Sequence, residues 1–198
     1  MNERTTWDVP PITTRLVTDR LVLRPPRNTD VPELRRALRE NVAHLRPWSA
    51  APAPGEDPTS ITSVSKAIIR QRREWKRGQS FTFFIAPRED DGRILGRVAL
   101  GGILLGAFRN AYLGYWIDRE HQGKGLVTEA VRATTGFAFV TAGLHRVQAA
   151  VMPRNTGSHR VLAKVGYRHE GLALRYLSIA GAWEDHELYA MTVEEWVG

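Results

Sequence analysis

A glycine-rich basic turn, Gln122-Gly123-Lys124-Gly125, stands between a run of strand formers and a run with helical spacing, which suits it to holding a phosphorylated ligand. Tyr112, Leu113, Tyr115, Trp116 and Ile117 precede it, and Val127, Ala130, Val131, Thr134 and Ala138 follow at helical intervals. The turn therefore lies at a helix N-terminus, where unpaired amides and the positive end of the helix dipole favour an anion. Gly123 and Gly125 remove the side chains that would keep a phosphate away, and Lys124 adds a full positive charge. Spacing rules out one phosphate motif and weakens another. A Walker A loop needs a glycine where Asp118 stands, and a dinucleotide fingerprint needs a third glycine where Thr128 stands, with an acidic residue about twenty positions on that the chain does not supply.

A second segment, PRNTGSHRVLAKVGYRHEG from Pro153 to Gly171, narrows the choice. Gln122 to Val127 resembles the Q-x-x-G-x-G/A segment with which GNAT-superfamily N-acetyltransferases hold the pyrophosphate of acetyl-coenzyme A, with Val127 replacing the small last residue. Pro153 to Gly171 resembles the N-x-x-S-x-x-x-L-x-K-x-G-F/Y-x-x-E-G signature of their RimJ/RimL-like branch, which acetylates ribosomal-protein N-termini. Arg20 to Pro25 and Leu45 to Trp48 also look like that branch, so the resemblance runs from Thr18 to Val193. It implies a single GNAT domain over residues 1–198 and a mixed α/β fold. The sheet is expected to be mostly antiparallel, twisted and split by a V-shaped cleft, with about four flanking helices. The strand before the glycine turn is then expected to splay from the strand at Arg146 to Met152 to admit pantetheine.

Acetyl transfer to an amine needs a neutral nucleophile, donors for the carbonyl oxygen as it gains charge, and a proton for the departing thiolate. The resemblance assigns the donors to backbone amides around Trp116 and Ile117, and the cofactor contacts to Gln122, Gly123, Lys124, Gly125, Leu126, Val127, Asn155 and Ser158. Many GNAT enzymes place an acidic tyrosine seven residues after the motif asparagine, where Leu162 stands; the RimJ/RimL-like branch instead implies Ser158 as the acid. Asn155 suits a helix N-cap as well as a pantetheine contact. The glutamate that the branch offers as a base is replaced by Leu177, which leaves Asp185, His186, Glu187 and a water chain as alternatives. His44, Trp48 and Asp185 are expected at the acceptor pocket. Glu129 reads as a helix-dipole partner in the first turn rather than a base.

The elements that must position these residues follow from periodicity. A strand is expected over Leu16 to Arg24, then a helix behind an Asp30–Glu33 capping box, and a second helix from Ile61 to Arg77 burying Val64, Ile68 and Ile69. Strands follow at Ser80 to Ala86 and Arg93 to Leu104. After the glycine turn come a long helix to Phe139, a strand over Arg146 to Met152, a helix from Thr156 to Lys164 closed by Gly166, and strands over Tyr167 to Ile179 and Ala182 to Met191. Residues 1–14, with Pro10 and Pro11, read as a flexible start to a core spanning about residues 16–193.

Composition limits the alternatives. The 198 residues suffice for one core, and the absence of cysteine excludes disulfides and any enzyme-bound thioester. No signal peptide or membrane span is legible, so the chain is read as cytoplasmic, and no metal is expected. A formal charge of +7 would attract any polyanion, but Arg35, Arg36, Arg39, Arg70, Arg72, Arg73, Lys76 and Arg77 fall on predicted helices as solvated faces, and nucleic acid ranks last among ligands. The expected function is acetyl-coenzyme A-dependent acetylation of a primary amine, the α-amino group of a protein such as a ribosomal protein. Acetylation of a small amine and a non-catalytic acyl-coenzyme A-binding module are the alternatives. Relatives of this kind also imply a homodimer.

Overall fold

The computed structural model describes residues 7–198. Along the chain run β1 (Leu16–Val17), β2 (Leu21–Arg24), α1 (Val31–Glu40), α2 (Val42–Leu45), α3 (Ile61–Lys76), β3 (Phe81–Pro87), β4 (Gly96–Leu104) and β5 (Asn110–Ile117). They are followed by α4 (Leu126–Gly136), β6 (Arg146–Val151), α5 (Thr156–Val165), β7 (Arg168–Ile179) and β8 (Ala182–Thr192). The eight strands form one sheet in the order β1-β2-β3-β4-β5-β6-β8-β7. Every pairing is antiparallel except β5 with β6. A parallel pair needs a crossover, and α4 supplies it.

Side chains alternate across a strand, so a sheet covered on both sides must bury both sets. Phe83 and Phe84 are both fully buried, in two different clusters. Phe81, Phe83 and Ile85 join Trp75, Ala130, Val131 and Phe137 on the α4 face, where Trp75 meets Phe81 and Phe83 edge-on with centroids 5.0 Å apart. Phe84 and Ile94 pack against Leu34 and Ala37 of α1 and Val64 and Ile68 of α3 on the opposite face.

Local expectations fail where a tertiary partner outbids them. The strand expected over Leu16 to Arg24 is a hairpin, because Thr18 Oγ1 bonds both the amide and the carbonyl of Leu21 and turns the chain so that Leu16 pairs with Leu23. The capping box is absent: the Asp30 carboxylate accepts both guanidinium nitrogens of buried Arg24 and the amide of Arg27, while Glu33 takes Arg36 and the amide of Ile94. Ile69 is exposed, because it lies off the buried stripe of Val64, Ile68, Gln71 and Trp75. Residues 7–14 are docked, with Trp7 Nε1 donating to Ala142 O at 2.7 Å and Trp75 Nε1 donating to Pro10 O at 2.8 Å; the rest of the segment expected to be flexible lies outside the described residues. A fifth helix, the four-residue α2, adds to the four expected.

Candidate active site

β5 and β6 pair at only three positions, Asn110 with Arg146, Ala111 with Val147 and Tyr112 with Gln148, although β5 continues to Ile117. The sheet therefore opens beyond Tyr112. Register determines which amides that gap frees. Arg146 N donates to Arg109 O on one side of β5, and Asp118 N donates to Leu95 O on the other. Alternation directs the amides of Leu113, Tyr115 and Ile117 to the gap and commits that of Trp116 to its partner Arg97 on β4. Ile117 thus keeps the free donor expected of it, whereas Tyr115, not Trp116, supplies the second.

A cavity of about 520 Å³ occupies the opening, within the range of small-molecule sites. The glycine turn forms one wall. Gly125 caps α4 with φ of 78° and Gly123 has φ of 72°, left-handed backbone that side chains resist. Among the described residues the amides of Gly123, Lys124 and Gly125 donate to no protein acceptor, and the first amides of α4 have none by construction. Gln122 lines the cavity; its amide donates to Arg119 O, and its side chain donates to His44 Nε2 at 3.0 Å. The Lys124 side chain does not line the cavity, but its carbonyl accepts Arg20 Nη1 at 2.9 Å. Glu129 holds Arg20 and accepts Thr18 Oγ1 at 2.6 Å, so the β1–β2 hairpin braces the turn from outside. Burial acts to raise the Glu129 carboxyl, but its bonds from Thr18 and Arg20 outweigh that and leave it below its usual range.

The start of α5 forms the facing wall. Asn155 Oδ1 accepts the amide of Ser158 at 3.1 Å, the N-cap bond that its position predicts. Tyr115 OH donates to Ser158 O at 3.4 Å, and burial pushes its pKa up to about 12, which keeps it a donor. At the other end stand His44, Leu45 and Trp48. Arg154 lies 5.8 Å over the Trp48 ring and grips Glu184 through two bonds of 2.6 and 2.9 Å, while Ala180 N reaches Ser49 O at 3.0 Å. The β7–β8 hairpin thereby braces the segment that carries Trp48.

Of the expected residues, the cavity gathers His44, Trp48, Trp116, Ile117, Gln122, Gly123, Gly125, Leu126, Val127, Asn155 and Ser158. Asp185 is absent from it, because its carboxylate accepts the amide of Arg175 at the β7 irregularity. His186 is buried against Glu184 O, and Glu187 is held by His169, so none of the three side chains considered as a base lines the site. Tyr115, His121, Arg160 and Lys164 were not anticipated. His121 was legible from its i, i+3 spacing to Asp118, which orients its ring at 3.0 Å and is itself held by Asn41 at 2.7 Å. Among the described residues no carboxylate lines the cavity, so its field favours an anionic ligand. That charge pattern, the unpaired amides and the open strand edge fit a coenzyme A thioester.

Comparison with known proteins agrees with this geometry. The profile of the Acetyltransferase (GNAT) domain matches residues 20–168. A probable N-acetyltransferase of Bacillus subtilis, YjcK, is 37% identical over 171 residues, covering 86% of this chain and 93% of its own. The [ribosomal protein uS5]-alanine N-acetyltransferase of Escherichia coli is 36% identical over 183 residues, 92% of each chain. The structure of Mycobacterium smegmatis RimJ in complex with CoA-disulfide superposes with a TM-score of 0.83 at 37% identity, covering 90% of this chain and 84% of that one.

Proposed function

The chain belongs to the GNAT acetyltransferase family with acetyl-coenzyme A as co-substrate, and from that premise we propose that it acetylates the N-terminal α-amino group of a protein, of the ribosomal-protein class, in the cytoplasm. The observation that carries this reading is the open β5 edge, with free amides of Tyr115 and Ile117 facing the Asn155–Ser158 turn across one cavity. Acetyl-coenzyme A would supply the activated acetyl group, its thioester bond breaking as the amide bond forms. The amides of Tyr115 and Ile117 donate to the acyl oxygen as it gains charge, held in place by the β4 ladder. Ser158 Oγ gives its proton to the leaving sulfur and recovers one from solvent. His44 and His121 are the cavity's imidazoles, and with solvent they are the takers of the acceptor's proton. At the acceptor end Trp48 lines the cavity and is held by Arg154, which is itself paired with Glu184. The 36% identity to the uS5-alanine enzyme across 92% of both chains supports a protein N-terminus as acceptor.

Incubation with acetyl-coenzyme A and a panel of alanine- and serine-initiated peptides, polyamines and aminoglycosides, read by mass spectrometry, tests the acceptor. Mono-acetylation of the peptides at the α-amine is expected. Turnover confined to the small amines would transfer the assignment to them, and coenzyme binding without thiol release in any mixture would reduce the protein to a binding module.

A further inference from the structure

Two cations on α5 line the cavity with no assigned task. Arg160 and Lys164 lie one helical turn apart and, with Gly157 and Val161, form the stripe of α5 that continues from Ser158 along the site. Neither side chain enters an ion pair or hydrogen bond among the described residues, whereas Arg154, Arg146 and Arg168 all pair with glutamates. Lys164, near the end of α5, also answers the helix dipole there; Arg160, in mid-helix, has no such explanation. The Lys164 carbonyl accepts Arg132 Nη2 of α4 at 3.1 Å, so this half of α5 is fastened beside the helix that begins at the glycine turn.

Resting on the acetyl-coenzyme A reading, we infer that Arg160 and Lys164 form a second anion subsite, which takes the 3′-phosphate of the coenzyme. Coenzyme A carries two separated anionic centres, the diphosphate and a phosphomonoester on the ribose. With the diphosphate at Gly123 to Gly125 and the pantetheine arm running toward Ser158, the nucleotide must leave the cavity past its rim. The unpaired cations of the lining stand on α5 along that wall. A phosphomonoester carries about −1.5 to −2 charge near neutral pH, and its oxygens accept charge-assisted bonds from such groups. The site would therefore select coenzyme A over its 3′-dephospho form.

Titration calorimetry of the full chain with coenzyme A and with 3′-dephospho-coenzyme A tests this. The wild type is expected to bind coenzyme A about tenfold or more tightly than the dephospho form, a difference of about 1.4 kcal/mol. In the R160A/K164A variant the two ligands should bind within about twofold of each other, at the wild-type affinity for the dephospho form. The charge-keeping R160K/K164R variant should retain the preference, which separates lost charge from a disturbed helix. Equal binding of both ligands by the wild type, or an undiminished preference in R160A/K164A, overturns the subsite and leaves the acetyl-coenzyme A reading intact. Failure of the wild type to bind either ligand overturns both.

Discussion

Ser158 is positioned by what its backbone does, not by its hydroxyl. Its amide is held by Asn155 and its carbonyl by Tyr115, so two walls of the cleft meet at one residue while Oγ remains free for the ligand. The Asn155 N-cap and the proposed catalysis therefore share a turn. Ser158→Ala keeps both backbone contacts, and it is expected to lower kcat by about 10²-fold while the calorimetric Kd for coenzyme A stays within error of wild type, since proton delivery is worth about that much. A wild-type rate would remove Ser158 from the chemistry. Serine and asparagine at this spacing are readable in the sequence. The tyrosine that meets them lies 43 residues away in the chain and is not.

At the scale of elements, the site depends on β5 being held on one side and released on the other. Gly96 on β4 makes the holding contact: a Cβ there would stand 2.3 Å from Trp116 O and 3.0 Å from Ile117 Cα. Neither neighbour is a flexible side chain, so β5 itself must move. Gly96→Ala is expected to cost about 1–3 kcal/mol in urea unfolding, typical of overpacking, and to weaken coenzyme A binding because the Ile117 amide shifts with its strand. Retained affinity in a destabilised variant would separate the ladder from the site. On the opposite flank, the Glu129–Arg20 brace links α4 to the β1–β2 hairpin through Lys124 O. Glu129 is anionic and engaged there, consistent with a structural part at the helix start rather than that of a base.

At the scale of the whole molecule, buried phenols connect the cleft to the core. Tyr115 packs against the main cluster at the site, and Tyr167 lies buried behind α5 with its hydroxyl 2.8 Å from Thr135 Oγ1. Burial raises both phenols, Tyr115 to about 12 from an ordinary 10.0. The folded state therefore keeps protons that the unfolded chain releases, so this contribution to stability is complete below about pH 10 and is lost as pH rises toward about 12. The urea midpoint is expected to fall across that interval, and Tyr115→Phe should fall less steeply than wild type. An identical slope in the variant would show that other groups govern alkaline unfolding. The glycine turn, α5 and the strand periods were legible because each depends on neighbours in sequence. The broken first strand and the missing Asp30–Glu33 capping box were not, because Thr18 and Asp30 answer to partners that local periodicity does not reveal, whereas exposed Ile69 simply falls off the Val64, Ile68, Gln71 and Trp75 stripe that helical spacing gives.

By itself the sequence determined a phosphate-accepting turn ahead of α4, an asparagine-capped helix carrying Ser158, and enough alternating apolar residues for a sheet covered on both faces. Those properties are local, because backbone conformation, helix capping and side-chain period are decided within a few residues. Only the tertiary structure decided that β5 and β6 part after three residue pairs, that Tyr115 rather than Trp116 has the free amide, that Asp185 is spent on the β7 backbone, and that Arg160 and Lys164 reach the cavity unpaired. Strand register and ion pairing join segments distant in the chain, and packing on both faces of the sheet selects among pairings that the local sequence leaves equivalent.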